Sequence, residues 1–229
     1  MQQNIKPLKM PHLFKINSSG RSGIATENLV TGTSVYGEIV INYDDIEYRM
    51  WDPKRSKLAA LITKGYTPQI SNGLNVLYLG AAAGTTASHM SDIVAGGVIF
   101  AVEFSSQPMT KLIRVCEPRR NLIPIFADAY HPEVYLLMVG AVDMIYQDVA
   151  QRDQVEIALL NSKTFLKKGA TLILMLKTRS IDSTAKPADV VGQEMDKLKN
   201  DFSIIKSLDL RPFHKDHHAI IARYKGMGG

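Results

Sequence analysis

From residue 76 onward the chain alternates short, nearly continuous apolar runs with stretches whose apolar positions recur at three- and four-residue spacing. The runs cover residues 76–79, 98–102, 122–126, 142–146 and 171–176, and the helix-like stretches cover 85–94, 109–116 and 154–165. A strand that is apolar at consecutive positions is covered on both faces, so the alternation predicts a mostly parallel sheet with helices on each side. A further helical stretch at 188–200 precedes two more runs, 204–210 and 219–223. The link between those two runs is too short for a crossover helix, so they are expected to form an antiparallel hairpin at one sheet edge.

The pattern ahead of residue 50 is different. Leu13, Phe14 and Ile16, then Leu29 and Val30, then Ile39, Val40 and Ile41 make short apolar pieces separated by turn-forming stretches at 18–23 and 31–33. They predict a small antiparallel β domain over residues 1–50, followed by an α/β domain over 51–229. Between them Leu58, Ala59, Leu61 and Ile62 have helical spacing, with Gly65 as the stop.

In an open parallel sheet, ligands bind beyond the carboxyl ends of the strands. Here the five runs end at Gly80, Glu103, Asp128, Asp148 and Lys177. Four ionisable side chains converging on one rim mark it as the candidate site. Gly80 and Gly84 allow a tight turn and a close backbone approach, and the following helix supplies positive potential. The spacing is G-x-x-x-G, and Ala82 stands where a dinucleotide fold needs glycine for its pyrophosphate, which argues against NAD. Glu103 follows Gly80 by 23 residues, near the offset of about 20 at which an acid meets ribose hydroxyls. Asp128 either accepts a hydrogen bond from an adenine amine or caps a helix beginning at Pro132. Thr85 and Thr86 either cap the first helix or touch the ligand, capping being preferred. Lys177 terminates a strongly apolar run and needs a partner for its ammonium, which Asp148 is expected to provide.

Composition narrows the partners. A formal net charge of +5 is compatible with a polyanion. The stretch 49–64 places Arg49, Lys54, Arg55, Lys57 and Lys64 beside Tyr48 and Trp51, a cluster suited either to phosphate and base contact or to a solvated helix start. The single cysteine, Cys116, makes neither an internal disulfide nor a Cys-based zinc site, and no metal site is expected. With neither an 18-residue apolar run nor a secretory pattern, the protein is expected to be soluble and intracellular, away from membranes.

Several blocks are similar to the fibrillarin family, the methyltransferase subunit of box C/D ribonucleoproteins. They are residues 48–59 (YRMWDPKRSKLA), 76–86 (VLYLGAAAGTT), 88–94 (SHMSDIV), 101–105 (AVEFS), 148–151 (DVAQ) and 180–184 (SIDST). The resemblance runs from about Tyr36 to the C-terminus. It implies a Rossmann-like methyltransferase fold with a seven-stranded sheet, and transfer of a methyl group from S-adenosyl-L-methionine to ribose 2′-oxygens of rRNA and tRNA. Sites are then chosen by a box C/D guide RNA, and the expected protein partners are a Nop-domain scaffold and a kink-turn-binding ribosomal-type protein. By the same matching, Lys57, Asp148, Lys177 and His217 are catalytic. Gly80, Ala81, Ala82, Gly84, Thr85, Thr86, Glu103, Phe104, Asp128, Ala129, Asp148 and Gln151 bind the cofactor. The lack of an Arg-Gly-rich tract resembles archaeal, cytoplasmic members rather than nucleolar eukaryotic ones.

Three departures stand out. Ala83 replaces a usual serine, Arg152 replaces a common proline, and the pair His217-His218 leaves the match to the family's Asp-His pair between two histidines, with Asp216-His217 preferred. In the implied mechanism Lys177 removes the hydroxyl proton, its pKa lowered by desolvation and by Lys57, while His217 positions the ribose. The competing readings are a small-molecule O-methyltransferase and a non-catalytic RNA-binding scaffold.

Overall fold

The computed structural model describes residues 4–18 and 21–226 of the 229. Part of the turn expected at 18–23 therefore falls at residues 19 and 20, outside the described residues. Five antiparallel strands, β1 (Asn4–Pro7), β2 (Leu13–Ser18), β3 (Arg21–Glu27), β4 (Val40–Tyr43) and β5 (Ile46–Trp51), form a first sheet in the order β1-β2-β3-β5-β4. Leu29 and Val30, expected among its strands, instead lie in the loop after β3, where Leu29 is exposed and its amide donates to Asp92 Oδ1.

Next come α1 (Lys57–Thr63), β6 (Asn75–Leu79), α2 (Thr85–Ile93), β7 (Val98–Glu103), α3 (Ser106–Cys116) and β8 (Leu122–Phe126), then a 3₁₀ turn at Pro132–Tyr135. The chain continues through β9 (Val142–Gln147), α4 (Gln154–Phe165), β10 (Leu166–Lys177), α5 (Thr178–Ile181), α6 (Pro187–Leu198), β11 (Phe202–Asp209) and β12 (His217–Tyr224). The second sheet has the order β11-β12-β10-β9-β6-β7-β8. Strands β10, β9, β6, β7 and β8 are parallel, and the β11–β12 hairpin joins the antiparallel way, as the short link required. Alternate residues of β6 feed two cores, Val76 and Tyr78 on one face and Leu77 and Leu79 on the other, which is why its sequence reads as a continuous apolar run. No helix among the described residues is long and apolar enough to cross a membrane.

The two sheets share one of these cores. Met10, Leu13, Ile24 and Trp51 of the small sheet pack with residues of α1, α2 and β6. Arg49, fully buried on β5, fastens the joint: its guanidinium donates to Glu38 Oε1 at 2.6 Å, to Asp92 Oδ2 on α2 at 2.9 Å and to Ser88 Oγ at 2.9 Å. Trp51 is 1% exposed and stacks on the His89 ring, 4.8 Å between centroids. Tyr48 is also buried, so Tyr48, Arg49 and Trp51 are structural and present no surface for the phosphate and base contact considered for this cluster. Removing one partner of a buried ion pair leaves an uncompensated charge. Arg49→Met is therefore expected to lower unfolding free energy by about 3–5 kcal/mol in denaturant titration. A loss of under about 1 kcal/mol would show that the network does not hold the sheets together.

Candidate active site

The chain runs from β6 through β7 to β8 on one side of the sheet, then crosses back to place β9 on the other side of β6. A crevice opens where such a direction reverses. Its floor is the meeting of Gly80, after β6, with Asp148, after β9, whose amide donates to Leu79 O at 2.9 Å. Gly80 has φ +79°, and a Cβ built on it would lie 2.6 Å from the Asp148 carbonyl oxygen. The glycine is thus required twice, for its backbone angle and for the contact. Ala82 also has a positive φ, 49°, and its amide donates to Glu103 Oε2 at 2.9 Å, which holds the turn in that conformation.

Above this floor lies a cleft of about 360 Å³ walled by Gly80, Ala82, Glu103, Phe104, Asp128, Ala129, Asp148 and Gln151 from the expected set. Val102, Ser105, Pro108, Ala127, Val149 and Ala150 complete the wall and were not anticipated. Glu103 accepts the amides of Ala82 and Ser105, the latter at 2.7 Å. Asp128 does not cap the turn at Pro132, whose preceding residue, His131, makes no side-chain cap; it accepts Tyr130 N–H at 2.9 Å and Gln151 Nε2–H at 3.3 Å. Gln151 Oε1 is buried without a hydrogen-bond partner, an acceptor awaiting a donor. Phe104, 57% exposed, stands at the mouth.

The cleft is lined by three carboxylates and by no lysine or arginine. Such a cavity repels a diphosphate and suits a ligand bearing hydroxyls, an amine and positive charge. S-adenosyl-L-methionine fits that description.

Four of the expected cofactor residues stand elsewhere. Ala81, Gly84, Thr85 and Thr86 do not line this cleft. Neither threonine caps α2, whose N-cap is Gly84 at φ +86° without a side-chain bond. Thr86 O–H instead donates to Ser56 Oγ at 2.9 Å, and Ser56 caps α1 by accepting the Ala59 amide. That bond ties the glycine turn to the residue just ahead of Lys57.

The expected catalytic residues come from four places, the start of α1, the loop after β9, the end of β10 and the start of β12, and are paired differently from expectation. Asp148 Oδ2 accepts Lys57 Nζ–H at 2.8 Å, both side chains under one-fifth exposed, whereas Lys177 makes no ion pair among the described residues. Buried Gln154 positions the other lysine, accepting the Lys177 amide at 2.8 Å and donating to its carbonyl at 3.1 Å. In the β10–β12 ladder Lys177 is opposite His217, so their side chains share a face. His218 points the other way and is opposite Asp209 in β11. The alternation of the strand therefore puts His217, not His218, beside Lys177.

His217 Nδ1 lies 2.8 Å from the Lys215 carbonyl. A carbonyl only accepts, so Nδ1 carries the proton. Burial, reinforced by Lys57, holds the ring below the usual histidine pKa. It is neutral at pH 7, with the Nε2 lone pair available. One neighbour escaped the sequence reading: His214 faces His217 at 5.9 Å between centroids and bonds Pro53 O through Nε2 at 2.9 Å, bracing the loop before Lys57. Its only signal was a third histidine in the link between β11 and β12.

Comparison with known proteins supplies the family. The sequence model of the family described as Fibrillarin matches residues 5–226, reaching well before Tyr36. The fibrillarin-like rRNA/tRNA 2′-O-methyltransferase of Methanopyrus kandleri is 49% identical over 217 residues, 93% of each chain. Aeropyrum pernix fibrillarin, solved with natively bound S-adenosyl-L-methionine, superposes with a TM-score of 0.90 at 40% identity, over 96% of this chain and 99% of that one. A fibrillarin from a complex with Nop5p gives a TM-score of 0.84 at 44% identity, over 88% and 94%.

Proposed function

The chain belongs to the fibrillarin family, and from that premise we propose that it methylates ribose 2′-hydroxyls of rRNA and tRNA, as the catalytic subunit of a cytoplasmic box C/D ribonucleoprotein. The observation that carries the cofactor assignment is a cleft whose charged walls are all carboxylates. Glu103 and Asp128 are set to receive ribose hydroxyls and an adenine amine, with the unpartnered Gln151 carbonyl as a further acceptor. When bound there, S-adenosyl-L-methionine supplies an activated methyl group. The Nop-domain partner is supported by the relative solved with Nop5p, and a guide RNA and a kink-turn-binding protein are proposed from the resemblance of the sequence blocks alone.

The chain's own residues do the rest. Asp148 holds the Lys57 ammonium as a fixed cation beside the reacting oxygen, stabilising the negative charge that develops there. Lys177, in its uncharged form, takes the hydroxyl proton at Nζ as the oxygen acquires its methyl group. His217, on the same face, orients the ribose.

A second reading exchanges the last two roles. It is favoured by the His217 tautomer, which leaves a neutral Nε2 acceptor at pH 7. A histidine base with a lowered pKa is competent above that pKa, so the rate is then flat through neutral pH and lost only on acidification below the ordinary histidine range. A rate that changes between neutral and alkaline pH would contradict the histidine base.

Calorimetric titration tests the cofactor site. The wild-type chain is expected to bind S-adenosyl-L-methionine, and Glu103→Ala to weaken binding about 10- to 100-fold through loss of a charged hydrogen bond. Failure of the wild type to bind, or preference for NAD, would contradict the assignment.

A further inference from the structure

The glycine turn separates two concavities of opposite charge. Ala82 lines the carboxylate cleft, while its neighbour Ala83 lines a groove of about 800 Å³ between the small sheet and α3. The groove also receives Thr85, at the start of α2. Its charged side chains are Arg55, Lys111, Arg114 and Arg119, with no carboxylate among its walls. Arg119 is buried and matched by Asp92 at 2.6 Å. The other three are exposed and form no ion pair among the described residues.

Their arrangement is specific. Lys111 and Arg114 are three residues apart on α3 and so share a helix face. Arg55 comes from the opposite wall, held over the Tyr36 ring at 5.4 Å by a hydrogen bond to the Tyr36 carbonyl at 3.0 Å. Three unpaired cations facing one groove repel one another and concentrate counterions, which a polyanion releases on binding. Arg55 also lies two residues before Lys57, and Ala83 of the groove is next to Ala82 of the cofactor cleft, so the groove borders the proposed site on two sides of its wall.

We propose that this groove seats the phosphate backbone of the RNA, with Arg55, Lys111 and Arg114 as its phosphate contacts. The inference deepens the proposed activity and rests on it for the identity of the polyanion. Phosphate contacts carry no sequence information, which fits a subunit whose targets are chosen by base pairing with a guide.

The test is the salt dependence of binding of the full chain to a short RNA duplex of mixed sequence. A groove variant carrying Arg55→Gln, Lys111→Gln and Arg114→Gln is compared with a control carrying Lys163→Gln, Lys197→Gln and Lys199→Gln on α4 and at the end of α6, the helices that cover the opposite face of the sheet, which lowers net charge equally. The slope of log affinity against log salt is expected to fall by about 2–3 in the groove variant and by less than about 1 in the control. S-adenosyl-L-methionine affinity, read by calorimetry, is expected to stay unchanged in both, reporting an intact fold. An unchanged slope in the groove variant, or an equal fall in the two variants, would overturn the proposal. So would displacement of the RNA by polyglutamate as readily, charge for charge, as by competing RNA, which would make the groove an acidic-protein surface. Methyl transfer is measured separately: a groove variant with unaltered slope beside an active wild type refutes the groove alone. An inactive wild type whose binding still depends on the three cations refutes the activity alone.

Discussion

Lys177→Ala is expected to reduce methyl transfer by about 10²- to 10⁴-fold while leaving S-adenosyl-L-methionine affinity nearly unchanged. The separation follows from the geometry. Lys177 is positioned through its backbone by Gln154 and stands opposite His217, outside the walls of the cofactor cleft. A hydroxyl is a poor nucleophile at neutral pH, so the loss falls on the chemical step and not on binding. Single-turnover transfer with saturating cofactor, paired with calorimetric titration, measures both halves. Turnover within a few-fold of wild type would remove Lys177 from the mechanism and leave His217 as the base.

Gly80→Ala is expected to have the largest structural effect of any single methyl group added to the site. The positive φ costs about 1–2 kcal/mol for a residue with a Cβ, and overpacking about 1–3 kcal/mol more. Here the clash is with backbone, the Asp148 carbonyl carbon and oxygen at 2.9 and 2.6 Å, which cannot rotate away. Relief requires the β6 and β9 ends to separate, moving Asp148 away from Lys57 and opening the cofactor floor. Lower thermal stability and loss of cofactor binding are therefore expected together. Gly84→Ala is the matched control, because a Cβ there meets only side-chain atoms, Leu112 Cδ1 at 3.1 Å and Val115. It is expected to bear the backbone term alone. Equal losses in the two variants would mean that the contact with Asp148 is unimportant.

The parallel sheet was readable because strands covered on both faces must be apolar at successive positions, and the chain ends of those runs delivered Gly80, Glu103, Asp128, Asp148 and Lys177 to one rim. What the residues could not disclose was their pairing. Lys57 and Asp148 are 91 residues apart, and nothing local distinguishes that ion pair from the expected one between Asp148 and Lys177. Arg49 has its partners 11 and 43 residues away, so a buried structural arginine read as part of an exposed basic cluster. Thr86 read as a cap because threonine commonly caps, but Gly84 occupies the N-cap and frees its hydroxyl to reach Ser56.

The histidine pair was an ambiguity that a strand period of two resolved once the register with β10 and β11 was known. The groove was hidden for the opposite reason. Its cations come from a loop and from α3, and only folding sets them across from one another.

The central claim, transfer of a methyl group to a ribose 2′-oxygen, is tested most directly with two guide-paired RNA targets identical except at the target nucleotide. One carries the ordinary ribose and the other its 2′-deoxy counterpart. With the assembled ribonucleoprotein and S-adenosyl-L-methionine labelled in its methyl group, the ordinary target is expected to take up label and the deoxy target to take up none. Equal labelling of the two would contradict the account.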